Sequence, residues 1–133
     1  NKLNSYNNKI SCVRYDENYQ NNGIAHYRYF KYFQNSKFVI KDRIISKGNF
    51  IASSYLHFHP LLDWKLSSES NQKFISNKGI AVEIIDESKS IKNLGLHNSL
   101  FSKSYGSIEN SQKIKIDING SKEAKIKIIF SRF

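Results

Sequence analysis

The sequence predicts an all-β fold, an antiparallel β-sandwich in a single domain. Three observations carry this. Apolar and polar residues alternate with the period of two that a half-buried strand requires. Turn-forming residues recur about every eight to twelve positions. No window shows an apolar stripe at helical spacing with capping residues at its ends. The 133 residues suffice for one domain with a core and fall short of two ordinary ones.

The elements follow in order. Residues 1–22 form a polar stretch rich in Asn and Tyr, with one ragged strand expected over 10–15. The sandwich is expected over 23–133. Residues 25–33 read as a long aromatic strand, followed by a turn at Gln34-Asn35-Ser36. A second strand over 37–45 ends at Lys47-Gly48-Asn49, and a third over 50–59 is stopped by Pro60, which has no N–H for a ladder. Phe74-Ile75 and residues 80–85 flank Asn77-Lys78-Gly79, a hairpin signal. Residues 99–105 form a weaker strand. Ile114, Ile116 and Ile118 alternate with Lys113, Lys115 and Asp117, and Ile126, Ile128 and Phe130 alternate with Lys125 and Lys127. Asn119-Gly120 between them tolerates positive φ, so this last pair of runs is expected to close as a hairpin.

Composition excludes several classes. One cysteine, Cys12, rules out an internal disulfide framework and a cysteine-cluster zinc site. One proline and six glycines exclude collagen-like chains. No apolar run approaches the roughly 20 residues that cross a bilayer as a helix. No segment has the order of a secretory signal. Methionine is absent, which points to a segment of a longer protein. The net charge of +10 favours polyanionic partners. Abundant Lys, Asn, Ile and Tyr, as an AT-rich genome would encode, account for the same charge without any partner.

The candidate site residues are His26, Arg28, His57, His59 and Trp64. His57 and His59 are two apart on one predicted strand, so both leave the same face, while Leu56 and Phe58 leave the other. Two such histidines bind zinc when a third ligand such as His26, His97 or Asp63 arrives; otherwise they are polar residues on a half-exposed sheet. His26 and Arg28 share a face beside Phe30 and Tyr32, an arrangement suited to a carboxylate or sulfate. The competing reading pairs Arg28 with an acid on the adjacent strand, such as Asp42. Trp64 offers a ring on which a sugar stacks. Nucleophilic catalysis has no support, since Cys12 lacks a histidine motif and no Gly-x-Ser-x-Gly elbow occurs. No P-loop or dinucleotide fingerprint calls for a cofactor. The aromatic-basic strand from Tyr27 to Phe33 faintly resembles a base-stacking sheet but lacks the RNA-recognition signature, so no nucleic acid and no membrane partner is expected.

Three pieces, read in order, resemble the C-terminal β-sandwich of the heparinase II/III-like polysaccharide lyases. In GIAHYRYFKYFQNSKFVIKDRI a histidine-x-arginine strand, His26 and Arg28, precedes a strand ending in Asp42 and Ile44. YLHFHPLLDWKL contains Leu56, His57, Phe58, His59 and Pro60 in the family's Leu-His-apolar-His-Pro order. SKSYGSIENSQKIKIDINGSKEAKIKIIFSRF carries Ser102, Tyr105 and Gly106 before two final strands. The resemblance spans roughly residues 23–133. It implies a bacterial parent of the periplasm, cell envelope or exterior, with an upstream α/α toroid and further β-sheets, that cleaves uronic-acid polysaccharides by β-elimination. The family's catalytic and metal-binding motifs are not found here, and His97-Asn98 stands on the wrong side of the His57 strand. The resemblance therefore implies a non-catalytic segment without a cofactor, any divalent metal of the parent lying outside it. Its partners would be the upstream domains and an acidic polysaccharide. Isolated, the segment would expose its packing face and risk dimerising. The alternatives are a free-standing carbohydrate-binding module and, behind it, a basic nucleic-acid-binding β-domain.

Overall fold

A computed structural model of the chain describes the backbone of residues 8–15 and, in full, residues 23–33 and 37–133. The expected turn at 34–36, the rest of the polar N-terminal stretch and the Cys12 side chain lie outside the described residues. Eight strands follow in order: β1 (Asn8–Tyr15), β2 (Ile24–Phe33), β3 (Lys37–His57), β4 (Trp64–Leu66), β5 (Lys73–Ser76), β6 (Ile80–Asp86), β7 (Ile91–Phe101) and β8 (Glu109–Arg132). All pairings are antiparallel. The order across the sheet is β1-β2-β3-β8-β6-β5-β4, with β7 also on β8.

Two expected turns are not turns. Lys47-Gly48-Asn49 lies inside β3, and Asn119-Gly120 lies inside β8. The expected C-terminal hairpin does not form. Instead β3 pairs with β8 along nearly its whole length, Phe38 opposite Phe130 at one end and His57 opposite Lys113 at the other. Between Ile45 and Asn49 four steps of β3 span two of β8, from Glu123 to Ser121. This bulge inserts an even number of residues, so alternation keeps its phase. Even-numbered positions therefore point inward on both sides: Ile40, Asp42 and Ile44, then Phe50 and Leu56, are all buried. On β8 the same parity buries Ile114, Ile116 and Ile118, then Ala124, Ile126 and Ile128.

β8 continues past its middle with β6 on Ile126–Arg132 and β7 on the stretch ending at Ile118. β6 and β7 are joined by residues 87–90, held by the Asp86 carboxylate, which accepts from the N–H groups of Ser90 (3.0 Å) and Ile91 (2.8 Å). The bulge of β3, Lys122 of β8 at φ 77° and Lys89 at φ 57° form a line across three neighbouring ribbons. Along that line the sheet bends over on itself. One apolar cluster collects Ile40, Val82, Ile84 and Ile128 from one half with Leu56, Ile114 and Ile116 from the other. This is the sandwich, made from one bent sheet. The physical reason for the two corrections is that a turn signal is local, whereas a through-strand is chosen by the partner that buries both halves.

The other hairpin signal holds. Gly79 has φ 77°, and Ser76 Oγ accepts from the N–H groups of Lys78 (3.2 Å) and Ile80 (3.1 Å). The β7 strand begins eight positions before the expected 99 and ends at Phe101. The short β4 was not expected. It adds to β5 as an edge, and its backbone is bound by Gln112: Trp64 N–H donates to Oε1 (2.7 Å) and Nε2 donates to Trp64 O (3.1 Å).

Lys122 occupies the left-handed region, which costs a residue with a Cβ about 1–2 kcal/mol. Lys122→Gly is therefore expected to stabilise the chain by about 0.5–1 kcal/mol after the glycine's greater unfolded-state entropy is deducted. Urea unfolding of the two proteins measures it.

Candidate functional site

β2 pairs only with the first half of β3, ending at Ile24 opposite Ser46. Among the described residues the second half of β3 has β8 on one side and an open edge on the other. The bend brings that edge over the inner face of β2. A groove of about 440 Å³ results, lined by His26, Arg28, Asp42, Tyr55 and His57 with Ile24, Ile44 and Ile118 as apolar wall.

Arg28 stands directly opposite Asp42 across the strands, so the cross-strand reading of Arg28 is the one the structure shows. Its Nε donates to Asp42 Oδ1 at 2.6 Å and its Nη2 to Oδ2 at 2.8 Å, a parallel fork. His26 Nε2 lies 2.9 Å from the same Oδ1. Asp42 is 5 % exposed, surrounded on its face by Ile40, Ile44 and Ile126. A charge there requires compensation. Burial pushes the Asp42 carboxyl up, but the hydrogen bonds from His26 and Arg28 and their charges outweigh burial and hold it below its ordinary value. The arginine fork is thus directed at Asp42 and not at an incoming carboxylate.

The second wall is less constrained. Tyr55 is 43 % exposed and stacks on His57, ring centroids 6.1 Å apart. Lys113, opposite His57, holds its ammonium 5.1 Å from the Tyr55 ring centre. His57 Nδ1 is 3.4 Å from Ser99 Oγ. On the far side of β8, His97 stands opposite Lys113, so His57, Lys113 and His97 form a row across three strands. Sequence reasoning named His57, offered His97 as one possible third ligand beside it and missed Lys113; the alternation Lys113-Ile114-Lys115 already put Lys113 on the wet face, but its partners depended on register.

The five expected site residues separate. His26, Arg28 and His57 meet at the groove. His59 follows the end of β3; its Nδ1 accepts from Leu61 N–H (3.1 Å) and its ring packs on Phe101 at 5.2 Å. His57 and His59 do leave the same side, with Leu56 and Phe58 buried, but different neighbours claim them. Trp64 is 5 % exposed and stacks on Phe58, centroids 4.2 Å apart. Its ring is part of the core, so a sugar does not reach its face. Trp64 Nε1 is buried with no hydrogen-bond partner. Among the described residues no group of three or more His, Cys, Asp or Glu side chains is placed to hold a metal ion.

No family profile and no curated protein matches the chain. Solved structures do. The chain aligns over 97 % of its length with a heparinase III gene product, at TM-score 0.78 and 12 % identity, covering 20 % of that protein. A heparan sulfate lyase from Pedobacter heparinus matches over 100 % of the chain at TM-score 0.72 and 12 % identity, covering 21 % of that protein. A further heparinase III structure matches over 98 % at TM-score 0.71 and 15 % identity, again covering 20 % of its chain. The agreement is in the backbone fold and not in the sequence. The fold of this chain is therefore that of one part, about a fifth in length, of the heparinase III structures it resembles.

Proposed function

We propose that this chain is the C-terminal β-sandwich of a heparinase II/III-like polysaccharide lyase, a non-catalytic domain. It packs on the parent's catalytic domains and contacts acidic glycan at the groove between β2 and the second half of β3. The carrying observation is the full-length match of this chain to only a fifth of each lyase structure. The chemistry supports a non-catalytic role. β-Elimination needs a base over the uronate C5 and donors that neutralise the carboxylate, inside a cleft that excludes water. Here the strongest charged constellation, His26, Arg28 and Asp42, is satisfied internally. What remains for a ligand is Tyr55, His57 and Lys113, an aromatic surface beside a cation. That set holds a sugar ring and its acid group.

The test is the chain alone with heparin, alginate and polygalacturonate, read by calorimetry for binding and by ultraviolet absorbance for unsaturated uronate. Binding without absorbance growth is expected, with affinity reduced about three- to tenfold in His57→Ala, the loss of one modest polar contact. Absorbance growth from the pure chain would overturn the non-catalytic assignment. Binding indifferent to His57 would remove the groove from it. Restored lyase activity on adding the chain to a parent lacking this segment would establish the packing role.

A further inference from the structure

The opposite, outer face of the first half of the sheet carries a second feature. A groove of about 570 Å³ is lined by Lys31, Lys37, Lys41, Arg43, Lys125 and Lys127. These residues come from three neighbouring strands, β2, β3 and β8. Acids are few there. Asp42 is held from the inner face by Arg28 and His26, leaving Glu87 at the rim. Arg43 and Lys125 share Glu123, at 2.7 and 3.7 Å. Lys31 rests its ammonium 4.8 Å from the Phe33 ring centre. Lys37, Lys41 and Lys127 have no acid partner among the described residues. Lys41 and Lys127 stand directly opposite each other across β3 and β8, an arrangement of like charges that destabilises a sheet. The fold gains nothing from this pair, so a ligand that neutralises it would explain it.

From this geometry we infer that the outer face centred on Lys41 and Lys127 is a binding surface for an extended anionic polysaccharide, distinct from the His57 groove. Cations repeat about every 4.8 Å across the strands and about every 7 Å along them. This spacing presents a lattice to a polymer with repeated sulfate or carboxylate groups. The face is an open sheet, so it suits a chain lying along it more than a small anion needing enclosure. Tyr29, Phe30 and Phe33 are the aromatic residues lining this groove with their lysine neighbours, and none is among the exposed large apolar residues. It thus lacks the projecting rings on which single-stranded nucleic acid stacks its bases. The choice of polysaccharide rests on the proposed lyase context; the cationic lattice does not.

The test uses heparin oligosaccharide as the probe and the double variant Lys41→Gln/Lys127→Gln. Heparin affinity is expected to fall about tenfold, with the dependence on log salt shallower by about two, one per cation removed. Lys92→Gln/Lys103→Gln removes the same charge from the other half and is expected to change affinity less than about twofold, the screened long-range share. Lys41→Arg/Lys127→Arg should retain binding. The melting temperature of the glutamine variant should equal or exceed that of the parent chain, so lost binding will not reflect unfolding. Equal losses in the two glutamine variants would reduce the effect to net charge and overturn the inference. Single-stranded DNA bound as tightly as heparin would overturn the polymer class. If His57→Ala is silent while the lysine variant binds weakly, the groove reading falls and this one stands; the reverse result overturns this one.

Discussion

Gly120→Ala is expected to destabilise the chain by about 3 kcal/mol, near the upper end for forced overpacking of a core. Gly120 faces Phe50 across β3 and β8. A Cβ on Gly120 would stand 2.2 Å from the Phe50 ring at Cζ and 2.3 Å at Cε1. Such contacts require the ring to leave. Phe50 is buried in the common apolar cluster beside the bend, and the space beside it is the open groove lined by Asn49, Ile51 and Asn119, so a displaced ring would lose its apolar burial. The glycine is thus required by the close approach of a side chain, not by a turn. Urea unfolding measures the loss. The control is Phe50→Leu/Gly120→Ala: removing the ring edge is expected to recover about 1–2 kcal/mol relative to additivity, the coupling of residues in contact. Additive losses in the double variant would refute the steric account.

The second large effect is at Asp42. Asp42→Ala is expected to cost about 3 kcal/mol, the lower end for breaking a buried ion pair, since Arg28 and His26 retain partial solvent access and are not left as fully buried cations. The same residue sets an acid limb. Its carboxyl binds a proton less readily in the folded chain than in the unfolded one, because Arg28 and His26 favour the ionised form over the opposing effect of burial. Its stabilisation is therefore complete above the ordinary carboxyl value of 3.8 and is lost as the pH falls through the lower folded value. Asp42→Asn should flatten stability against pH in that window while remaining less stable than the parent chain at neutral pH. An unchanged acid limb would show that other carboxyls govern it. Arg43 and Glu123 form a contrasting pair on the outer face: both are well exposed, and exposed pairs contribute little.

These two sites differ in how far they can be read without coordinates. Arg28 and Asp42 were legible as cross-strand partners, because both fall at the same phase of adjacent strands joined by a short connection, and register over such a short connection is tightly limited. Gly120 was misread. Asn-Gly between two alternating runs is a hairpin signal, yet here the residue before and the residue after it continue one strand. Trp64 was legible only as an aromatic; that it stacks on Phe58 inside the core follows from Gln112 binding its backbone, a contact between residues 48 positions apart.

What the sequence determined by itself was the phase of the strands it read residue by residue, β2, the second half of β3 and β8. Burying one face of a pleated ribbon demands alternation, and the isoleucines of β8 and the lysines between them state that demand residue by residue. All-β class, the inner and outer lists and the Arg28–Asp42 pair follow from it. Only the tertiary structure decided which strands join and where they bend. Backbone hydrogen bonds are the same for every pair of strands, so local pattern does not choose between a hairpin of the two halves of β8 and a single strand pairing along β3. The choice falls to the arrangement that buries Ile114 to Ile118 and Ile126 to Ile128 in one core. That same choice gathers lysines from positions 31 to 127 onto one face, a surface invisible while they lay scattered along the chain.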